Sequence, residues 1–81
     1  MEIKVLFFAS LAAKLDEREL ALSLPDNTTV GEAVERLAAE RPKLAAVRDT
    51  LATAVNLAYV GPEHRLSPGD ELALIPPVSG G

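Results

Sequence analysis

Apolar side chains recur along the chain with two different spacings, which predict strands in some stretches and helices in others. Residues 19–24 alternate strictly, with leucine at every second position and polar or small side chains between, as in a strand with one buried face. Runs of β-branched, aromatic and other apolar residues predict further strands at Glu2–Phe8, Ala54–Val60 and Glu71–Ile75. Together these segments predict a sheet of about four to five strands.

Helical spacing predicts one long helix and two shorter helical pieces. Thr29 and Glu32 have the spacing of a capping box, and Pro42 ends the apolar stripe that follows. Ser10 is expected to cap a short helix after the first strand, and the Ala-rich residues 43–51 predict a short helix or a helical turn. This order of elements predicts an α+β domain with the long helix packed across one face of a mixed sheet.

Both faces of the predicted sheet carry apolar side chains, but one long helix covers only one of them. We expect Val34 and Leu37 of the helix to pack against strand residues Val5, Phe7, Leu20, Leu22 and Leu72 or Leu74. Leu6, Phe8 and Ile75 belong to the other face, where contiguous apolar area marks a binding surface. We predict a partner interface there; the alternative is that the second helical stretch covers these three residues.

Length and composition favour one small domain that works through partners. The chain has 81 residues, enough for a single core, and no cysteine, which excludes disulfides, thiolate metal sites and a cysteine persulfide. Twelve acidic and 8 basic residues give a net charge of −4, which argues against nucleic acid and favours partners with basic clefts. The sequence has neither an apolar run of ~20 residues nor a signal-peptide layout, so we expect no membrane contact and a cytoplasmic location.

The sequence shows no arrangement of residues typical of a catalytic or cofactor site. His64 is the only histidine and lies in a predicted loop, where a solvated side chain is the simpler interpretation. Gly31 stands alone, without the spacing of a phosphate-binding or dinucleotide-binding loop. We therefore expect no metal site, no cofactor bound by this chain, and no catalysis by the chain alone.

The reactive chemistry that remains lies in the last six residues, Pro76-Pro77-Val78-Ser79-Gly80-Gly81. The two prolines fix φ and remove backbone donors, so they end the last strand and form a stiff stem. The two glycines lack a Cβ, which lets them pass a channel too narrow for side chains and leaves the terminal carboxylate open to attack. A carboxylate reacts with nucleophiles only after activation, so a partner enzyme must supply the catalysis.

These properties divide the chain into a folded domain, residues 1–75, and a flexible tail, residues 76–81. We predict that Gly81 is the reacting residue and that a partner recognises the four residues before it, Pro77, Val78, Ser79 and Gly80. The alternative is a frayed chain end without function, as many domains have.

Several motifs together resemble one family. They are Val5-Leu6-Phe7-Phe8-Ala9, Thr29-Val30-Gly31-Glu32, Ala54-Val55-Asn56, Gly69-Asp70-Glu71, and the tail from Ile75 to Gly81, which is the most specific of them. In these segments the chain resembles the ubiquitin-like β-grasp sulfur carriers, and among them most closely the small subunits of molybdopterin synthase. The resemblance implies a β-grasp fold over the whole domain.

The resemblance also implies a reaction cycle and a set of partners. An ATP-dependent adenylating enzyme, similar to ubiquitin-activating enzymes, would activate Gly81, and a sulfurtransferase would supply the sulfur that converts it to a thiocarboxylate. The large synthase subunit would then pass this sulfur to precursor Z, cyclic pyranopterin monophosphate, in molybdenum cofactor biosynthesis. The implied assembly is a heterotetramer, and ATP is used only by the adenylating partner.

Three alternatives remain open at the level of sequence. The carrier could serve thiamine synthesis or tRNA thiolation, since the thiamine sulfur carrier is similar in fold and also ends in Gly-Gly. A ubiquitin-like modifier would use the same adenylate but join Gly81 to lysines of target proteins. A non-covalent interaction module would leave the tail idle.

Overall fold

The computed structural model describes residues 1–77, which form a five-stranded sheet and four short or medium helical segments. The strands are β1 (Glu2–Phe7), β2 (Glu19–Ser23), β3 (Ala52–Val55), β4 (Ala58–Tyr59) and β5 (Glu71–Ile75). The helices are α1 (Ala9–Leu15), α2 (Val30–Glu40) and α3 (Pro42–Ala45), followed by one 3-10 turn, Arg48–Thr50. The predicted α+β class is confirmed.

The strand order is β2-β1-β5-β3-β4, so the first and last strands lie side by side inside the sheet. They run parallel, while the other neighbouring pairs are antiparallel. Val5 lies opposite Leu20 on one side and Leu72 on the other. The sheet is therefore mixed, as predicted, and β1 lies inside it with a neighbour on each edge.

The helices and the sheet enclose one hydrophobic core. Its completely or almost completely buried members include Ile3, Val5, Leu11, Val30, Leu37, Leu44, Leu72 and Leu74. Leu37 is therefore in the core, as predicted. Val34 and Leu20 are only half-buried at the edge of the core, and Ala33 is fully buried in α2 instead. For Leu20 the reason is that β2 is an edge strand, with a neighbour on one side only.

The capping box at the start of α2 is present as predicted. The hydroxyl of Thr29 accepts a hydrogen bond from the amide of Glu32 at 3.2 Å, and the carboxylate of Glu32 accepts one from the amide of Thr29 at 2.9 Å. Two backbone donors that the helix cannot satisfy internally are thereby bonded. The helix ends at Glu40, two residues before Pro42.

Two local predictions were wrong. Helix α1 begins at Ala9 rather than after a Ser10 cap, because the carbonyl of Phe8 already accepts the amide of Leu11, and Ser10 lies in the first turn. The single strand predicted for residues 54–60 is a hairpin, since Asn56 and Leu57 both have positive φ and reverse the chain.

The ambiguous residues 43–51 are helical in part, as α3 and the 3-10 turn. Leu44 of α3 is completely buried in the same core as Leu37, and α3 packs against α1 and α2. This segment therefore lies on the helix side of the sheet. It does not cover the opposite face, which rules out that alternative.

Candidate functional site: the open sheet face and the C-terminal stem

The sheet face without helices carries a row of apolar residues across four strands. Leu6 of β1 lies opposite Ala73 of β5, Ala73 lies opposite Ala54 of β3, and Ala54 lies opposite Tyr59 of β4. These residues alternate along their strands with the core residues, so their side chains share the opposite face.

A second row lies next to the first, towards the end of β5. Ile75 is opposite Ala52, and Phe8 remains alongside β5 because its amide donates to the carbonyl of Leu74 at 3.1 Å. We name the two rows the open-face patch; it consists of Leu6, Phe8, Ala52, Ala54, Tyr59, Ala73 and Ile75. The structure thus brings together Leu6, Phe8 and Ile75, the three residues for which the sequence predicted a partner interface.

The patch exposes large side chains. Tyr59 is 76% exposed and Phe8 is 41% exposed, while Leu6 and Ile75 are half-buried between them. Sequence reasoning left Tyr59 out of the site because it treated residues 54–60 as one strand. The signal was Asn56, a residue type that readily adopts positive φ and so favours a turn.

Charged residues border the patch at the other end of β1. Lys4 is two residues before Leu6 on the same face, lies opposite Glu71, and is 3.6 Å from the carboxylate of Glu19 on β2. Glu2 precedes Lys4 on this face. An apolar surface with a charged rim on one side is typical of protein interfaces and orients the partner.

The stem of the tail begins directly after the patch residue Ile75 and lies against helical segments. Pro76 follows Ile75 directly and is half-buried, whereas Pro77 is exposed. Both prolines line a shallow groove of about 190 Å³ between α1 and the 3-10 turn, together with Ser10, Leu11, Lys14, Val47 and Thr50. The predictions for Val78, Ser79, Gly80 and Gly81 lie outside the described residues.

The groups whose pKa values are shifted lie in contacts that stabilise the fold. Hydrogen bonding to Arg41 lowers the pKa of Glu17 and raises that of Arg41. Hydrogen bonds from the amide and hydroxyl of Thr29 lower the pKa of Glu32. Each shift arises in a contact that joins or caps helices.

His64 lies exposed in a loop, where its carbonyl accepts the amide of Val30 at 2.8 Å. Within residues 1–77 no cluster of three His, Asp or Glu side chains is arranged to hold a metal ion. In the same range no helix has the length and apolar composition needed to cross a bilayer.

A comparison with protein-family models decides the family. Residues 5–81 match the model of the ThiS family, a range that includes most of the sheet, the helices and the tail. This chain belongs to the ThiS family. The expected kinship with ubiquitin-like sulfur carriers is thus confirmed.

Relatives and solved structures of this ThiS protein agree with the family. The molybdopterin synthase sulfur carrier subunit of Escherichia coli is 41% identical, over 98% of this chain and 99% of its own length. The crystal structure of small archaeal modifier protein 1 from Haloferax volcanii is 30% identical, covers both chains completely and has a TM-score of 0.87.

A complex of subunits 1 and 2 of the molybdopterin-converting factor from Helicobacter pylori contains a chain of the same fold. That chain is 24% identical, with full coverage of both chains and a TM-score of 0.74. The β-grasp architecture predicted from the sequence is confirmed.

Proposed function

We propose that this protein is the sulfur-carrier subunit of a molybdopterin synthase. The observation that carries the proposal is the placement of the stem: β5 runs from the open-face patch directly into Pro76 and Pro77. One docking event on the patch would then hold the domain and direct the residues after Pro77 into the partner. The family match through residue 81 and the name of the 41% identical relative support the same function.

The proposed chemistry takes place on the carboxylate of Gly81. A carboxylate oxygen attacks the α-phosphate of ATP in the adenylating enzyme, pyrophosphate leaves, and an acyl-adenylate forms. Sulfide (HS⁻) supplied by the sulfurtransferase attacks the Gly81 carbonyl and AMP leaves, which gives a thiocarboxylate with no change in the oxidation state of sulfur. Activation is needed because a free carboxylate has no suitable leaving group.

In the second half of the cycle the large synthase subunit transfers the sulfur to precursor Z, and water restores the carboxylate. The dithiolene of molybdopterin contains two sulfurs, so each molybdopterin requires two carrier chains in the thiocarboxylate form. In this cycle the partners catalyse the reactions, and this chain carries the sulfur. We retain the division into a β-grasp domain, residues 1–75, and a tail, residues 76–81, as part of the proposal.

The direct test is the intact mass of the protein after incubation with its adenylating enzyme, ATP and a sulfur donor. We expect the mass increase that corresponds to replacing one oxygen by sulfur, and formation of molybdopterin once the large subunit and precursor Z are added. A variant without Gly81 is the control and should do neither, at unchanged melting temperature. Molybdopterin formation by that variant would contradict the proposal. Formation of the thiocarboxylate without transfer of its sulfur to precursor Z would point to a carrier for thiamine or tRNA thiolation.

A protein modifier is the second candidate, favoured by the 30% identity and TM-score of 0.87 to small archaeal modifier protein 1. A modifier uses the same adenylate, but an amine attacks the Gly81 carbonyl and an isopeptide bond forms. Tryptic digests of lysates would then contain lysines that carry residues 66–81, the segment after Arg65, only when Gly81 is present. Absence of such lysines, together with a detectable thiocarboxylate, would leave the carrier function.

A further inference from the structure

The turn between β3 and β4 contains a leucine in a conformation and an environment that are both unfavourable for it. Asn56 and Leu57 connect the paired residues Val55 and Ala58, with φ of 49° and 72°. A two-residue hairpin turn with positive φ at both positions normally has glycine second. Leu57 occupies that second position, and it is 91% exposed.

Neither property of Leu57 benefits the isolated domain. Positive φ brings the Cβ of an L-residue close to its own backbone, a strain that glycine avoids. A leucine that remains in water also contributes no hydrophobic burial to folding. Strained, exposed apolar residues are found at functional sites, where the surrounding structure maintains them.

The surrounding structure does maintain this turn. The amide of Asn56 donates to the carbonyl of Glu71 at 2.9 Å, and its side chain accepts the amide of Glu71 at 3.0 Å. The side-chain amide of Asn56 also donates to the carboxylate of Asp70 at 3.0 Å, and Asp70 in turn accepts the amide of Ser67 at 2.8 Å. These bonds fix the turn to the start of β5, so Leu57 has a defined position relative to the strand that leads to the tail.

We propose that Leu57 is an anchor residue for the large synthase subunit and inserts into an apolar pocket on it. Leu57 would extend the open-face patch, whose most exposed member, Tyr59, is two residues further along the same hairpin. This inference rests on the proposed function, since it names the surface by which the carrier binds its synthase partner.

The choice of the large subunit follows from the kind of interface. A carrier meets its adenylating enzyme transiently, whereas a synthase subunit must stay bound while its tail reacts, and long-lived interfaces are larger and more apolar. Anionic membranes and nucleic acids also bind exposed leucine or tyrosine side chains. The net charge of −4 disfavours binding of this chain to either of them.

The test is the pair of variants Leu57→Gly and Leu57→Met in the full chain. Leu57→Gly relieves the strained φ, and we expect a melting temperature at or roughly 2–5 °C above wild type. The same variant should bind the cognate large subunit about tenfold more weakly or worse, measured by calorimetry. Leu57→Met keeps an apolar side chain and should bind within about threefold of wild type.

The matched control is Asn27→Gly, which introduces glycine at another exposed position of positive φ, 66°, in the loop before α2. It should leave binding unchanged. The proposal is overturned if Leu57→Gly binds as tightly as wild type, if it weakens only binding to the adenylating enzyme, or if it lowers the melting temperature. Failure of the wild-type chain to bind the large subunit would instead overturn the proposed function, and this inference with it.

Discussion

The guanidinium of Arg41 binds the carboxylate of Glu17 through two hydrogen bonds, Nε to Oε1 at 2.8 Å and Nη2 to Oε2 at 3.1 Å. Glu17 follows α1 and Arg41 follows α2, so the pair joins the ends of two helices. The guanidinium carbon also lies 5.9 Å from the centre of the Phe7 ring at the end of β1. One side chain therefore connects both helices to the sheet.

This pair predicts a loss of stability in acid. The hydrogen bond with Arg41 lowers the pKa of Glu17 in the folded protein. Its contribution is therefore present above the ordinary pKa of a glutamate and is lost as the pH falls through the lower, folded-state pKa. Solvent screens the half-buried pair, so we expect Glu17→Gln to reduce the free energy of unfolding by about 0.5–1 kcal/mol at neutral pH.

Urea unfolding of wild type and Glu17→Gln at neutral pH and in strong acid measures this effect. The difference in unfolding free energy between the two proteins should shrink in acid. Wild-type Glu17 is then protonated and, like the glutamine of the variant, carries no negative charge. Glu63→Gln, which removes an exposed carboxylate from a loop, is the control and should show no such trend. An equal difference at both pH values would contradict the ion-pair explanation.

Leu37→Ala tests the contact between α2 and the sheet. Leu37 is 1% exposed, so its truncation leaves a cavity and should cost about 2–4 kcal/mol of unfolding free energy. Val34→Ala, at a half-buried position on the same helix, should cost clearly less. Chemical denaturation measures both variants. Equal losses of unfolding free energy would contradict the placement of Leu37 in the core and of Val34 at its edge.

Phe8→Asp tests the open-face patch as an interface. Phe8 is 41% exposed, so the fold should tolerate the change, while a carboxylate in an apolar interface should weaken binding of the large subunit at least tenfold. Ala39→Asp adds the same charge at an exposed position of α2 and should leave binding intact. Unchanged affinity of Phe8→Asp for both the large subunit and the adenylating enzyme would rule the patch out.

Gly80→Val tests whether the tail must pass a narrow channel. A β-branched side chain restricts the backbone and adds bulk beside the reacting carbonyl, so thiocarboxylate formation and sulfur transfer should both fall at least tenfold. Ser79→Ala should have a milder effect, because it removes a hydroxyl without adding bulk or branching at Cβ. Single-turnover sulfur transfer measures both variants, and wild-type rates for Gly80→Val would contradict the narrow channel.

Local patterns in the sequence predicted most elements correctly. Strict alternation predicted β2, and the capping box predicted the start of α2. These signals are reliable because each depends on contacts between residues close in sequence. The structure also places Leu6, Phe8 and Ile75 on one face, since the faces of a strand follow from its period of two. That this face binds a partner stays a prediction.

The sequence by itself determined the α+β class and the apolar face of each principal element, and it predicts a tail in which Gly81 is the group open to chemistry. Only the tertiary structure decided that α3 lies on the helix side, which leaves the open-face patch without a helix over it, and that Tyr59 belongs to the patch. It also decided the hairpin at Asn56 and Leu57, where side-chain bonds to Asp70 and the start of β5 maintain a backbone that leucine disfavours. Strand order, register and such supporting bonds join residues far apart in sequence, and no local periodicity encodes them.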